Sequence, residues 1–258
     1  MKRVILTIAV LVGAFGASKA QEFSVGADVV SSYVWRGVYQ GGGASIQPSI
    51  GFSIGGFSLG AWGSSNLTGG NKEVDFTAGY EFSGVSLSVT DYWWAGENAY
   101  NYFKLYGQDE TAHVLEATIG YTLPVENFPL SLNWSTVLGG ADGVNKDGKD
   151  AYSSYLELSY PFKVKDIELS ATVGIVPWGT TLYGFSDTID TDGDGIEDEE
   201  IGTGLANYRP DASFSVVNIN LKASKEIKIT DSFSLPVFGQ VIANPRSEDI
   251  FFVLGVSF

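Results

Sequence analysis

The sequence lacks cysteine and has a single histidine and a single methionine. Without cysteine, the protein forms no disulfides, binds no metal through thiolates and performs no thiol chemistry. Basic residues are also scarce, since 15 lysines and arginines stand against 30 aspartates and glutamates and give a net charge of −15. Binding to nucleic acid requires clustered basic residues, so we expect no nucleic-acid partner.

Long apolar runs are also missing. The main one extends from Val4 to Phe15 and falls short of the roughly 17 residues that a membrane-spanning helix needs. It follows Lys2 and Arg3 and precedes the small residues of Ser18-Lys19-Ala20, which is the order of an export signal. We therefore expect a signal peptide over 1–20, with a transmembrane anchor as the less favoured alternative, and one mature domain over 21–258.

The mature part carries apolar residues at every second position, which is typical of strands with one apolar and one polar face. In the first segment one face carries Phe23, Val25, Ala27, Val29, Tyr33 and Trp35, and the other carries Ser24, Asp28, Ser32 and Arg36. The pattern predicts twelve strands over 22–36, 44–54, 57–65, 72–82, 85–95, 111–123, 129–139, 150–162, 166–178, 213–225, 232–243 and 248–258. A mean hydropathy of +0.08 suits strands with one oily and one polar face.

The connections between these strands alternate in length. Short connections follow the even-numbered strands at 55–56, 83–84, 124–128, 163–165 and 226–231, whereas long ones after odd-numbered strands reach 95–110 and 179–212. Short turns on one side and long loops on the other are typical of barrels in the bacterial outer membrane. We predict an all-β, transmembrane, antiparallel up-and-down β-barrel of about twelve strands with short periplasmic turns and longer extracellular loops. A soluble β-sandwich is the alternative.

The aromatic residues and the terminal strand favour the membrane. Large apolar residues alternate at Ile250, Phe252, Leu254, Val256 and Phe258. Such a strand at an open sheet edge promotes aggregation, whereas a closed barrel pairs the edge and lipid covers its apolar face. Two girdles of aromatic residues are expected at the membrane interfaces. The long-loop girdle would contain Tyr33, Trp35, Trp93, Trp94, Tyr152 and Trp178, and the short-turn girdle Phe82, Tyr121, Tyr160, Phe162, Phe233 and Phe258.

The first third of the chain contains several short motifs rich in glycine and aromatic residues. They are Ser-Ser-Tyr-Val-Trp-Arg-Gly at 31–37, Gln40, Gln47, Gly56-Phe57, Gly-Ala-Trp-Gly-Ser at 60–64 and Glu-Val-Asp-Phe-Thr-Ala-Gly-Tyr at 73–80. In this order and spacing, the sequence resembles the TorF-like family of outer-membrane porins over about residues 31 to 95, and over the remainder in strand pattern and length. The resemblance implies a small exported barrel without an assigned substrate. It also implies that barrel-insertion machinery recognises the aromatic end at Phe258.

The polar face of the predicted strands would line the barrel interior. The acidic residues on this face are Asp28, Asp75, Glu81, Glu116, Glu157 and Glu168, and the basic residues that oppose them are Arg36 and Lys222. Carboxylates around a pore repel anions and concentrate cations. The alternative is a hydrogen-bonded plug of the same groups, since twelve strands lie between a side-chain-filled barrel and an open channel.

Arg36 has two interpretations of its own. As a residue at the outer end of the first strand, it could line the pore mouth and bind a carboxylate or phosphate of a solute. The interpretation we favour is an internal salt bridge to a lumen acid such as Asp75 or Glu116.

An acidic segment over 187–200 resembles a calcium loop. Asp190, Asp192 and Asp194 precede Gly195 with EF-hand spacing, and Asp198 would bind through water. The bidentate acid expected at the twelfth position is missing, because Ile201 stands there. Weak calcium binding and a solvated acidic loop are both compatible with this pattern.

Catalysis has little support, since His113 is the only histidine and its strand neighbours offer no nucleophile. By strand phase it points outward, near the extracellular rim, and we expect no enzyme. Two functions fit the sequence. The first is an outer-membrane porin that passes small solutes or ions with weak cation preference. The second is a non-conducting structural or binding barrel that recognises extracellular ligands through loops 96–110 and 179–212.

Overall fold

The computed structural model describes residues 21–69, 72–95, 101–104, 111–125, 128–142, 149–183 and 214–258. In chain order the strands are β1 (Gln21–Val30), β2 (Val34–Trp35), β3 (Val38–Tyr39), β4 (Ser45–Ile54), β5 (Phe57–Asn66), β6 (Lys72–Phe82), β7 (Val85–Ala95), β8 (His113–Thr122), β9 (Ser131–Gly140), β10 (Ser154–Val164), β11 (Ile167–Val176), β12 (Ser215–Thr230), β13 (Phe233–Asn244) and β14 (Asp249–Ser257). A short 3₁₀ helix spans Thr181–Tyr183. No helix in these ranges is long and apolar enough to cross a membrane.

Twelve of these strands, all except β2 and β3, close into one antiparallel barrel in which each strand pairs with its neighbours along the chain. The barrel closes where β1 meets β14, through Asp28 opposite Ser257, Val29 opposite Val256 and Val30 opposite Gly255. This confirms the predicted all-β fold and the predicted number of barrel strands. The predicted strands over 72–82 and 85–95 agree with β6 and β7 at both ends.

The two ends of the barrel differ, and we call them the turn end and the loop end. At the turn end, tight connections such as Gly55-Gly56 and Ser83-Gly84 join β4 to β5 and β6 to β7, with positive φ at all four residues. Positive φ at both central residues is the mirror-image turn that matches the twist of paired strands. Two predicted connections were wrong in part. Residues 226–230 continue β12 and leave Asp231 and Ser232 as the turn, and residues 163–164 continue β10 and leave Lys165 and Asp166 as the turn.

The two faces of the barrel wall differ in polarity, as the alternation predicts. Exposed large apolar side chains on the outer face include Phe23, Val25, Ile50, Leu59, Phe76, Leu87, Ile119, Leu132, Leu221, Phe252 and Leu254. Serine, threonine and charged residues occupy the alternate positions, which face the lumen. An apolar outer face around a polar interior is the reverse of a soluble protein.

The first predicted strand is too long, because β1 ends at Val30 and the chain then turns into the lumen. There, β2 and β3 form a small hairpin that pairs Val34 with Tyr39 and Trp35 with Val38. Alternation continues through this stretch because the hairpin is also extended, so periodicity alone gives no boundary. Tyr33, Trp35 and Trp94 pack inside the barrel, so the prediction of a loop-end girdle was wrong for these three residues.

The buried core lies in the loop-end half of the barrel, not along its full length. One cluster joins Tyr155, Val176, Tyr183 and Val217, with Trp35 and Leu182 packed against it. A second cluster of Val30, Phe238, Ile242 and Val253 holds Val34 of the hairpin against the closure between β1 and β14. The core therefore depends on segments that enter the lumen from the loop end.

Several predictions lie outside the described residues. These are the signal peptide at 1–20, the possible calcium ligands Asp190, Asp192, Asp194 and Asp198, and most of the loops 96–110 and 179–212.

Candidate functional site in the barrel lumen

Arg36 lies at the centre of the candidate site, at the tip of the hairpin. Its Nη1 donates to Glu116 Oε2 at 2.6 Å, and its Nη2 donates to Glu116 Oε1 at 2.8 Å. Nη1 also donates to Tyr183 Oη at 2.7 Å, and Nη2 to Ser135 Oγ at 3.1 Å. The two-fold contact with a carboxylate is the strongest form of an arginine ion pair. It ties the hairpin to β8 and β9 across the lumen.

The local backbone explains how the hairpin presents this guanidinium. Arg36 and Gly37 have φ of 49° and 84°, so together they form a two-residue turn with both φ positive. A side chain at Gly37 would place its Cβ 1.9 Å from the carbonyl oxygen of Val217. Asn244 donates from Nδ2 to the carbonyl oxygen of Gly37 at 3.1 Å. The hairpin tip is therefore fixed on three sides by β8, β12 and β13.

Aromatic rings surround the ion pair. Trp35 stacks on Tyr183 with ring centroids 5.6 Å apart, and Tyr183 stacks on Tyr155 at 5.8 Å. The guanidinium carbon of Arg36 lies 4.6 Å from the Trp35 ring and 4.5 Å from the Tyr155 ring. Cation–π contacts of this kind gain strength where water is excluded. The result is a plug of the ion pair and its aromatic neighbours, formed by the hairpin, the 3₁₀ helix and the barrel wall.

Two further carboxylates face the same half of the lumen. Glu73 and Asp75 lie two residues apart on β6, so both point inward, and both are buried. Tyr33 and Trp94 hydrogen-bond with Glu73, and Glu73 and Asp75 hydrogen-bond with each other. The sequence prediction included Asp75 but missed Glu73, although the same alternation places Glu73 on the inner face.

The remaining predicted lumen residues are spread along the wall. Register places Asp28, Glu81, Glu157 and Glu168 on the inner face, at separate positions around and along the barrel. Glu157 accepts hydrogen bonds from Tyr155 and Ser159, both at 3.1 Å. The ammonium of Lys222 lies 4.1 Å from the centre of the Phe238 ring. Among the predicted lumen residues, which all lie in the described ranges, only Arg36 and Glu116 form an ion pair with each other. This is one of the two pairings expected for Arg36.

Tyr183 and Tyr155 were not predicted as site residues. Tyr155 has a strand signal, since it shares the inner face with Glu157. Tyr183 has none, because it lies in a long connection without periodicity and reaches the site through tertiary folding. Gly174 leaves room for the Tyr155 hydroxyl, since a Cβ there would lie 1.9 Å from Tyr155 Oη. This close approach is visible only in the structure.

His113 lies on the outer face near the loop end, as its phase predicts, but it is fully covered. Its Nδ1 is 2.9 Å from Asp91 Oδ1, and its Nε2 is 2.5 Å from the carbonyl oxygen of Tyr102. The ring of Tyr102 lies across the imidazole, with centroids 4.9 Å apart. Both ring nitrogens contact oxygen acceptors, which is the pattern of a histidine that anchors a loop to the barrel wall.

The closed sheet, the apolar outer face and the polar lumen define a twelve-stranded antiparallel β-barrel with an internal plug. The chain belongs to a bacterial family of unknown function, Gcw_chp, whose model matches residues 14–191.

Among solved structures, the chain is similar to OmpF of Salmonella typhi in complex with daunomycin. The alignment covers 93% of this chain and 98% of that chain, at 8% identity and a TM-score of 0.35. Comparison with curated proteins gives no significant match.

Proposed function

We propose that the protein is an outer-membrane porin that passes small solutes or ions through a narrow lumen with a weak preference for cations. The apolar outer face supports insertion into a bilayer, since only a closed barrel satisfies all strand hydrogen bonds there. Exposed aromatic residues at the turn end, such as Phe82 and Phe258, suit a membrane interface. The TorF-like motifs in the sequence support the same proposal.

The charge of the inner wall carries the cation preference. By strand phase, the inward-facing acids among the described residues include Glu22, Asp28, Glu73, Asp75, Glu81, Glu116, Glu157, Glu168, Glu226 and Asp249, and the bases in the lumen include Arg36, Lys163, Lys222 and Lys228. This excess of carboxylates gives the lumen a negative potential. A low-dielectric wall focuses such a potential, so cations gather and anions are repelled.

The plug sets the width of the path. At the turn end the inner wall carries small polar side chains such as Ser53, Ser58 and Ser86, none of them buried. At the loop end the Arg36–Glu116 pair and its aromatic neighbours occupy the lumen. We therefore expect a conductance below that of an unobstructed barrel of the same strand number.

Planar-bilayer recording tests this function on the purified full-length barrel. In a potassium chloride gradient, we expect small, stable channels whose reversal potential lies on the cation side. Arg36→Ala removes the tip of the plug and one positive charge, so conductance and cation preference should both rise. Lys163→Ala, at the turn end, serves as the control and should leave single-channel conductance unchanged. Stable insertion without current in the wild type and in Arg36→Ala would reject the pore.

The plug itself favours a second candidate, a non-conducting barrel. A two-fold ion pair with stacked rings is stable enough to close the lumen permanently, and not only to narrow it. In that case loops 96–110 and 179–212 would recognise extracellular ligands, and the wild type would insert without current.

Neither function includes catalysis. His113 contacts Asp91 and the Tyr102 carbonyl, and its proposed role is to hold residues 101–104 against the barrel wall. Partners in the proposed function are outer-membrane lipid, small solutes and the barrel-insertion machinery that would read the strand ending at Phe258. Calcium in the 187–200 loop remains a separate proposal, testable by calorimetry.

A further inference from the structure

We infer that Glu73 and Asp75 form a binding site for one hard divalent cation of the calcium type inside the barrel, beside the hairpin. The two carboxylates project from the same face of β6 into the loop-end half of the lumen. This site differs from the acidic loop at 187–200 and from the Arg36–Glu116 pair. It does not rest on the proposed pore, since binding is measured without a conducting membrane.

The burial of the two side chains is the first observation. Glu73 is 5% exposed and Asp75 is 8% exposed, which is rare for carboxylates without a basic partner. One oxygen of each group, Glu73 Oε1 and Asp75 Oδ1, is buried and has no hydrogen-bond partner among the described residues, although Glu73 also hydrogen-bonds with Tyr33, Trp94 and Asp75. The guanidinium of Arg36 lies in the same half of the lumen, but it pairs with Glu116 and not with Glu73 or Asp75. Buried charge without compensation is costly, so these oxygens call for a ligand.

A cavity at Glu73 supplies the space. It has a volume of about 120 Å³, and Glu73 lines it together with Tyr33, Ser45, Ser64 and Asn66. Asp75 is not part of this lining and adjoins the cavity through its hydrogen-bonded neighbour Glu73. A water molecule takes about 30 Å³ in the liquid, so the cavity has room for an ion and a few waters. Tyr33, Ser64 and Asn66 bring neutral oxygen atoms, the ligand type that calcium and magnesium prefer. Lys72 also lines this cavity, although its strand phase places it on the outward side.

Charge selects the kind of ligand. Two adjacent carboxylates repel each other when both are ionised, and one divalent cation neutralises both. The described residues contain no cluster of three or more acidic, histidine or cysteine ligands. Hydroxyl, amide and water oxygens must therefore complete the coordination shell, and calcium tolerates such a mixed shell of six to eight oxygens better than magnesium does.

Calorimetric titration of the detergent-solubilised barrel with calcium chloride, and separately with magnesium chloride, tests the site. The acidic loop must be silenced first, so every protein carries D190N, D192N and D194N. In this background we expect a calcium heat with one ion per chain, weaker for magnesium. Glu73→Gln with Asp75→Asn should abolish it. Glu81→Gln removes an exposed inward acid from the same strand and should leave the heat unchanged.

Thermal unfolding gives a second readout that does not depend on calorimetric heat. In a calcium chelator, Glu73→Gln/Asp75→Asn should unfold at a higher temperature than its parent, because the repulsion between the carboxylates is removed. Calcium should raise the unfolding temperature of the parent and leave the double variant unmoved, since a ligand stabilises only the folded state that binds it.

Two results would overturn the inference. One is a parent that shows no calcium heat and no calcium-dependent rise in unfolding temperature, which would mean that the carboxylates share a proton. The other is a calcium heat that persists in Glu73→Gln/Asp75→Asn, which would place the ion elsewhere. If bilayer recording shows no current, the calorimetric and thermal measurements still test the cation site. The two proposals can therefore be rejected independently.

Discussion

The two halves of the lumen are built differently although the same twelve strands form both. The loop-end half contains the buried core, the hairpin and the Arg36–Glu116 pair, whose carboxylate is 2% exposed. The turn-end half carries small polar side chains and an ion pair between Lys163 and Glu168, which are 61% and 74% exposed. The contrast shows that the barrel wall does not fill its own interior.

Barrel geometry explains this division. Eight strands enclose a space that their own side chains fill, whereas larger barrels leave a lumen. With twelve strands, the loop-end half is filled by segments of the connections that enter the lumen. The turn-end half stays open to solvent. Stability should therefore be concentrated in the loop-end half, and two pairs of variants and one single variant test this.

The largest effect is expected from Arg36→Ala. The substitution leaves the buried Glu116 without its cation, with hydrogen bonds only from Tyr92 and Thr118 among the described residues. Loss of one partner of a buried ion pair costs about 3–5 kcal/mol. Urea unfolding in lipid vesicles should register this loss in the free energy of unfolding.

The matched variant at the turn end is Lys163→Ala. Lys163 lies 3.6 Å from Glu168, and both side chains are exposed. An exposed pair contributes at most about 1 kcal/mol, so we expect a change within that limit. Equal losses in Arg36→Ala and Lys163→Ala would contradict the division of the lumen.

Two glycines on the inner face give the second comparison. Gly174→Ala would push a methyl group into the position of Tyr155 Oη, and overpacking of this kind costs about 1–3 kcal/mol. At Gly60 the nearest atom to an added Cβ is a carbonyl oxygen 3.9 Å away, so Gly60→Ala should change stability by less than about 0.5 kcal/mol. The same unfolding assay measures both, and a larger loss at Gly60 would refute the packing described for the loop end.

The smallest effect concerns pH at the turn end. Lys225 donates to Asp166 at 2.8 Å, and this hydrogen bond lowers the pKa of Asp166. A lowered pKa in the folded state means that the stabilisation is present above the ordinary aspartate pKa and is lost as pH falls through the lowered value. Thermal unfolding should place the wild type slightly above Asp166→Asn at pH 6 and equal to it at strongly acidic pH. A difference that grows with acid would contradict this sign.

Much of the wall could be predicted from the sequence, because alternation and turn residues are local signals. The strand over 72–82 has apolar residues at Val74, Phe76 and Ala78 and ends at Ser83-Gly84, and the structure places β6 there. Loop asymmetry then fixed which ends of the strands lie together. The first predicted strand ran to residue 36 instead of Val30 because an extended hairpin inside the lumen alternates in the same way as a wall strand.

The plug could be predicted only in part. Alternation placed Glu116 on the inner face, and the positive charge of Arg36 made their pairing one of two options. The position of Tyr183 could not be foreseen, because it depends on where a long connection folds. The burial of Glu73 could not be foreseen either, because it depends on Tyr33, which the chain carries into the lumen beside the hairpin. Gly37 beside Arg36 was the available sign of a tight turn, since both take positive φ.

Cysteine accessibility in the reconstituted barrel tests the division of the lumen most directly, because the chain contains no cysteine of its own. Ser131 and Ser135 lie on the same strand and the same face, with Ser131 towards the turn end and Ser135 in contact with Arg36. Ser131→Cys should react rapidly with a small water-soluble thiol reagent, and Ser135→Cys should resist it until Arg36→Ala is added. Equal, rapid labelling at both positions in the barrel with Arg36 intact would contradict a lumen that is open at one end and plugged at the other.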